Sequence, residues 1–64
     1  MSKQKIIEDA EQQAKMLLQS YHKITCRQIV MFLIEESSLT QNENRWVFWA
    51  QVENEINRIL KLRQ

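Results

Sequence analysis

Apolar residues recur every three or four positions through the first third of the chain, and this spacing predicts an amphipathic helix over about residues 5–22. Glu11 and Lys15 stand four residues apart in the order that stabilises a helix, and Ser2 is a candidate N-cap. Met16 falls outside the apolar stripe, so we expect its side chain to face solvent. The predicted buried stripe consists of Ile6, Ile7, Ala10, Ala14, Leu17, Leu18 and Tyr21.

The middle of the chain is continuously apolar from Ile29 to Ile34, which fits a buried strand or a buried helix, because periodicity does not separate the two. Three features favour a helix over about residues 25–36. Thr25 and Gln28 have the spacing of a capping box, the segment is longer than most strands, and no second segment has the pattern of a partner strand. A helix that is apolar on nearly all sides is expected to lie at the centre of the domain.

A polar run from Ser37 to Asn42 predicts a turn, and Thr40 with Glu43 repeats the capping-box spacing. A third helix is predicted over about residues 41–62, where no helix-breaking residue occurs. Together the three segments predict an all-α protein, folded as one compact three-helix domain that covers the whole chain. The predicted core stripe of the third helix is Phe48, Trp49, Val52, Ile56, Ile59 and Leu60.

The composition agrees with helices joined by short turns, since the chain has no glycine and no proline. Glycine phosphate loops and glycine helix caps are thereby excluded. The chain has 64 residues and one cysteine, Cys26, so no intramolecular disulfide can form. A core of this size supplies roughly 3–5 kcal/mol, and small proteins often gain further stability by association. We therefore expect self-association, with a homodimer as the simplest form.

Charge and hydropathy bear on location and partners. The net charge is +1, which does not favour binding to nucleic acid through charge alone. The chain begins with polar and charged residues instead of the apolar run of a secretory signal. The apolar run at 29–34 is far shorter than the roughly 20 residues that span a bilayer. We expect a cytoplasmic protein without a membrane partner.

Two groups of residues are candidates for catalysis or metal binding. His22 and Cys26 lie four residues apart, but each has an ordinary structural role available, at a helix end and in the core respectively. The acidic pairs at 35–36 and 53–55 have no histidine or third carboxylate at helical spacing, so a solvated helix face explains them. We expect no enzymatic activity, no cofactor, no metal site and no small-molecule substrate.

A three-helix array also matches the architecture of helix-turn-helix DNA-binding domains, in which the first residues of a recognition helix contact base edges. Arg27 would then contact phosphate. Against this alternative, the predicted connection is long and lacks glycine, the third helix is long, and Glu43 would face the phosphates. The side chains that would read bases are Gln41, Asn42, Asn44 and Arg45.

The remaining feature is apolar surface that a single copy is too small to bury. Met31 and Phe32 flank the buried face of the second helix, Trp46 lies at the edge of the third stripe, and Val47 falls in its polar sector. A twist of the third helix would instead bury Trp46. We predict a protein interface at Met31, Phe32, Trp46 and Val47, and a non-enzymatic regulatory or adaptor protein, with DNA binding as the alternative.

Overall fold

Three α-helices make up the fold in a computed structural model that describes residues 3–63. They are α1 (Lys3–Ser20), α2 (Lys23–Leu39) and α3 (Glu43–Leu62). The predicted all-α, three-helix fold is confirmed, and residues 29–34 are helical. The candidate cap Ser2 lies outside the described residues.

The central helix is α3, which packs against both α1 and α2, whereas α1 and α2 barely touch each other. The expectation that the second helix is central is therefore wrong. The physical reason is that α3 is the longest helix and buries a broad arc, so that α1 and α2 each cover part of it. One side of α2 consequently has no neighbouring helix.

The core is formed by one row of side chains from each helix. Two rings of α3, Phe48 and Trp49, pack edge to face with centroids 5.1 Å apart and extend this core. The predicted stripe of α1 is confirmed except at Tyr21, which is exposed because α1 ends at Ser20. The buried apolar residues are Ala10, Ala14, Leu17, Cys26, Val30, Val52, Ile56 and Ile59.

Tyr21 and His22 connect α1 to α2, and His22 caps the start of α2. The Nδ1 atom of His22 accepts a hydrogen bond from the backbone N–H of Ile24 at 3.3 Å, and the His22 carbonyl accepts from the N–H of Cys26 at 2.9 Å. His22 is therefore the N-cap, and Thr25 lies inside the helix. The predicted capping box at Thr25 is wrong because an imidazole nitrogen performs the capping three residues earlier.

The end of α2 also lies beyond its predicted position, at Leu39 instead of residue 36. The helix continues through Ser37, whose hydroxyl donates to the carbonyl of Leu33, one turn earlier, at 2.8 Å. A hydroxyl satisfied in this way can be buried within a helix, and Ser37 is only 1 % exposed.

A three-residue turn, Thr40 to Asn42, then reverses the chain. Gln41 has the left-handed φ of 58°, and the N–H groups of Gln41 and Asn42 donate to the carbonyls of Ser38 and Ser37. This is the helix-ending arrangement that normally uses glycine. In a chain without glycine, glutamine adopts the left-handed conformation.

Asn42 is the N-cap of α3, since its Oδ1 atom accepts a hydrogen bond from the N–H of Arg45 at 3.2 Å. The predicted capping box at Thr40 and Glu43 is wrong, because Thr40 is the C-cap of α2 and its hydroxyl donates to the carbonyl of Glu36. The predicted start of the third helix at residue 41 moves accordingly to residue 43.

Candidate interaction surface on the second helix

The side of α2 that faces away from the core carries four large apolar side chains. Ile24 is 57 % exposed, Met31 55 %, Phe32 65 % and Leu39 85 %. At about 100° per residue, these four positions and two exposed polar ones fall within an arc of about 100°. We call this surface the outer face of α2; it consists of Ile24, Gln28, Met31, Phe32, Glu35 and Leu39.

The inner side of α2 accounts for the other apolar positions of the segment. Cys26 and Val30 are fully buried, and Ile34 packs partly buried against the core. Because the run from Ile29 to Ile34 is continuously apolar, its side chains point in all directions around the helix. The directions that α3 does not cover remain in water, where a helix of a monomeric protein normally carries polar residues.

Charges are arranged unevenly along α2. Lys23 and Arg27 lie in its first half, and Glu35 and Glu36 lie in its second half. The guanidinium of Arg27 donates from Nη2 to Oδ1 of Asn57 on α3 at 3.2 Å. Basic residues therefore flank the first half of the outer face, and acidic residues lie on and beside its second half.

The four predicted interface residues are all exposed, at 41 to 65 %, and they line different parts of the surface. Met31 and Phe32 lie on the outer face of α2. Trp46 borders a hollow beside Ser37 and Ser38 at the turn between α2 and α3. Val47 lines a separate groove between α1 and α3, together with Ile6, Asp9, Glu43, Asn44 and Phe48.

Sequence reasoning did not identify Ile24 and Leu39 as part of this surface. The predicted bounds of 25–36 leave Ile24 before the helix and Leu39 in the following turn. The signal was present, because Ile24, Met31 and Leu39 stand seven and eight residues apart, which places them on one side of a helix. The predicted bounds, which start after Ile24 and end before Leu39, leave both residues outside the helix.

The candidate DNA-reading residues are only partly brought together. Gln41, Asn42, Asn44 and Arg45 are all exposed around the start of α3. The side-chain oxygen of Asn42, however, is engaged as the N-cap. Arg27 contacts Asn57, which lies about 20 Å along the α3 axis from Asn44 at 1.5 Å per residue.

One acidic residue of the 53–55 pair is not solvated as expected. Glu55 is only 6 % exposed and accepts hydrogen bonds from Nε2 of Gln51 at 3.1 Å and from Nε of Arg58 at 2.9 Å. The hydrogen bonds and the charge of Glu55 raise the pKa of the Arg58 guanidinium above its usual range. Arg58 also forms an ion pair with Glu11 at 3.5 Å, so this group of charges ties α1 to α3.

Cys26 lies in the core, which is the structural role that its sequence position offered. Its Sγ atom donates to the carbonyl of Leu17 at 3.2 Å and lies 3.6 Å from the carbonyl of Tyr21. Burial raises the pKa of the Cys26 thiol, which keeps it protonated and able to donate. The thiol thus joins the start of α2 to the end of α1.

Within residues 3–63, no three side chains of His, Cys, Asp or Glu gather as a metal ion would require. No helix in the same range is long and apolar enough to cross a membrane. Comparisons with protein families, curated proteins and solved structures find no match to the chain. The geometry of the helices is thus the basis for a functional proposal.

Proposed function

We propose that the chain is a small non-enzymatic regulatory or adaptor protein that binds other polypeptide chains through the outer face of α2. The observation that carries the proposal is the row of four large apolar side chains, each 55 to 85 % exposed, along one side of the helix. Single exposed apolar residues are ordinary on a protein surface. A row that extends about 22 Å along one helix face is the pattern by which helices bind grooves or other helices.

Met31 and Phe32, at the middle of the outer face, would be the anchors of the contact. A methionine side chain adapts its shape to the partner, and a phenylalanine buries a large rigid area. Trp46 and Val47 remain predicted contact residues, but we do not assign them as anchors, because their side chains line two other hollows. We propose a cytoplasmic location, which the single free and buried thiol favours.

A matched pair of methionines tests the proposal. Met31 on α2 and Met16 on α1 are both 55 % exposed. Met31→Glu is expected to abolish binding to partner chains, measured by sedimentation and by affinity capture, while Met16→Glu leaves binding intact. Both variants should keep the helical circular dichroism of the wild type, since both positions face solvent. Equal binding by the two variants would overturn the proposal.

DNA binding is the second candidate, and the exposed group Gln41, Asn44 and Arg45 at one end of α3 favours it. These side-chain types hydrogen-bond to base edges. A mobility-shift assay at rising salt decides between the candidates. Loss of a shift in Asn44→Ala and Arg45→Ala would support this function, and absence of any shift at low salt would exclude it.

A further inference from the structure

We infer, on the basis of the proposed function, that the partner fitting the outer face of α2 is a second copy of this chain, packed with its α2 antiparallel to the first. The reason lies in the order of charges and apolar residues along the helix. A two-fold interface brings one patch against itself, so the patch must be complementary to its own reversed sequence. The outer face of α2 meets that condition.

The charges on α2 run against the preference of an isolated helix. A helix is stabilised by acidic residues near its N-terminus and basic residues near its C-terminus. The first turn of α2 has no acidic residue and its last turn no basic residue, while Lys23 begins the helix and Glu36 lies near its end. An antiparallel second helix supplies the opposite charges at both ends.

The register follows from the spacing of the face. When the two-fold axis passes between Met31 and Phe32, Met31 of one copy lies opposite Phe32 of the other, and each of the two is offset by only one residue, about 1.5 Å, from its own counterpart. Ile24 then lies opposite Leu39 of the second copy, because both are displaced equally from the axis. Apolar residues therefore meet apolar residues at the centre and at both ends of the contact.

The polar positions agree with the same register. Glu35 of one copy lies opposite Gln28 of the other and within reach of Arg27, so the carboxylate accepts hydrogen bonds from both. Arg27 uses one guanidinium nitrogen for its bond to Asn57, and the remaining N–H donors are available. A parallel arrangement would instead place Arg27 beside Arg27 and Glu35 beside Glu35, which is repulsive.

Charge reversal tests the arrangement. Arg27→Glu and Glu35→Arg each convert two attractive pairs of the dimer into repulsive ones. Each variant is expected to raise the Kd of self-association about 5- to 30-fold, given the size of exposed ion-pair effects. The double variant carrying both changes should regain wild-type association, and an equimolar mixture of the two single variants should form a heterodimer.

Sedimentation equilibrium of the full chain, from about 1 µM to about 1 mM, measures these Kd values across the range of small interfaces. Lys15→Glu, which makes the same change in net charge as Arg27→Glu at an exposed site on α1, is the control and should leave the Kd unchanged. Circular dichroism of every sample monitors folding. Recovery in the double variant and in the mixture shows independently that the single changes act at the interface.

The outcomes separate the inference from the proposed function. A wild-type chain that stays monomeric throughout overturns the second copy as the partner, while the binding test of Met31→Glu still decides the proposed function. Association that Met31→Glu abolishes but charge reversal does not alter overturns the antiparallel arrangement alone. Association that neither Met31→Glu nor charge reversal affects overturns both.

Discussion

Replacement of Cys26 by alanine tests how the start of α2 is held to the end of α1. The thiol is fully buried, and its Sγ atom donates to the carbonyl of Leu17 at 3.2 Å. Since α1 and α2 barely touch elsewhere, this contact is one of few between them. Cys26→Ala removes the donor and leaves a small void without adding a new group.

The magnitude follows from two losses. A buried hydrogen bond contributes about 0.5–1.5 kcal/mol net, and a thiol is a weak donor, so the lower half of that range applies. The lost sulfur contributes about as much as a buried methylene, near 0.8 kcal/mol. The Leu17 carbonyl keeps the N–H of Tyr21 at 2.9 Å and is not left without a partner. The expected loss is about 1–2 kcal/mol, a large part of the roughly 3–5 kcal/mol available at this size.

Thermal melting followed by circular dichroism measures the effect. For a domain of this length, the expected loss lowers the Tm by about 5–15 °C. The wild-type thiol should also react with a thiol reagent only through unfolding, so its rate in native buffer should be far below the rate in denaturant. A Cys26→Ala variant that melts at or above the wild-type Tm, or a native thiol that reacts at once, would refute this reasoning.

Three further predictions concern stability. Asn42→Ala removes the N-cap of α3 and should lower the free energy of unfolding by about 1 kcal/mol in urea denaturation, an effect that Asn42→Ser should largely avoid. Gln41→Gly relieves the left-handed φ of 58° and should raise that free energy by about 0.5–1 kcal/mol; a loss of stability would show that the glutamine side chain matters more than its backbone. Because burial raises the pKa of Cys26 in the folded chain, the unfolded thiol ionises first as the pH rises. The thiol's contribution is therefore complete below the unfolded pKa of about 8.5 and is lost as the pH rises through the folded pKa, so the stability difference between wild type and Cys26→Ala should shrink in alkaline buffer.

The three helices and most of the core were predictable because their signals are additive over many residues. The positions of Ala14, Val52 and Ile56, for example, follow from a repeat that runs the length of each helix. Helix ends depend on single side chains, and two kinds of cap compete at each turn. His22 and Asn42 act as N-caps where Thr25 and Thr40 have the more familiar capping-box spacing.

The candidate surface was only half predictable, for a related reason. Met31 and Phe32 stood out because a continuously apolar helix has more apolar side chains than one neighbour can cover. The position of a helix among its neighbours is determined by packing and not by its own apolar pattern. Because α3 is the central helix, one side of α2 remains uncovered. Ile24 joins the surface only once α2 is known to begin at Lys23, and Leu39 only once α2 is known to extend past residue 36.

Disulfide cross-linking tests the central claim, that the outer face of α2 meets a second copy of itself, most directly. Met31→Cys is expected to cross-link with itself under mild oxidation, whereas Met16→Cys, at an equally exposed site, is not. Ile24→Cys should fail to cross-link with itself, because antiparallel packing separates the two copies by about 22 Å, while a mixture with Leu39→Cys should give the mixed disulfide. Cross-linking of Met31→Cys no faster than that of Met16→Cys would contradict the account.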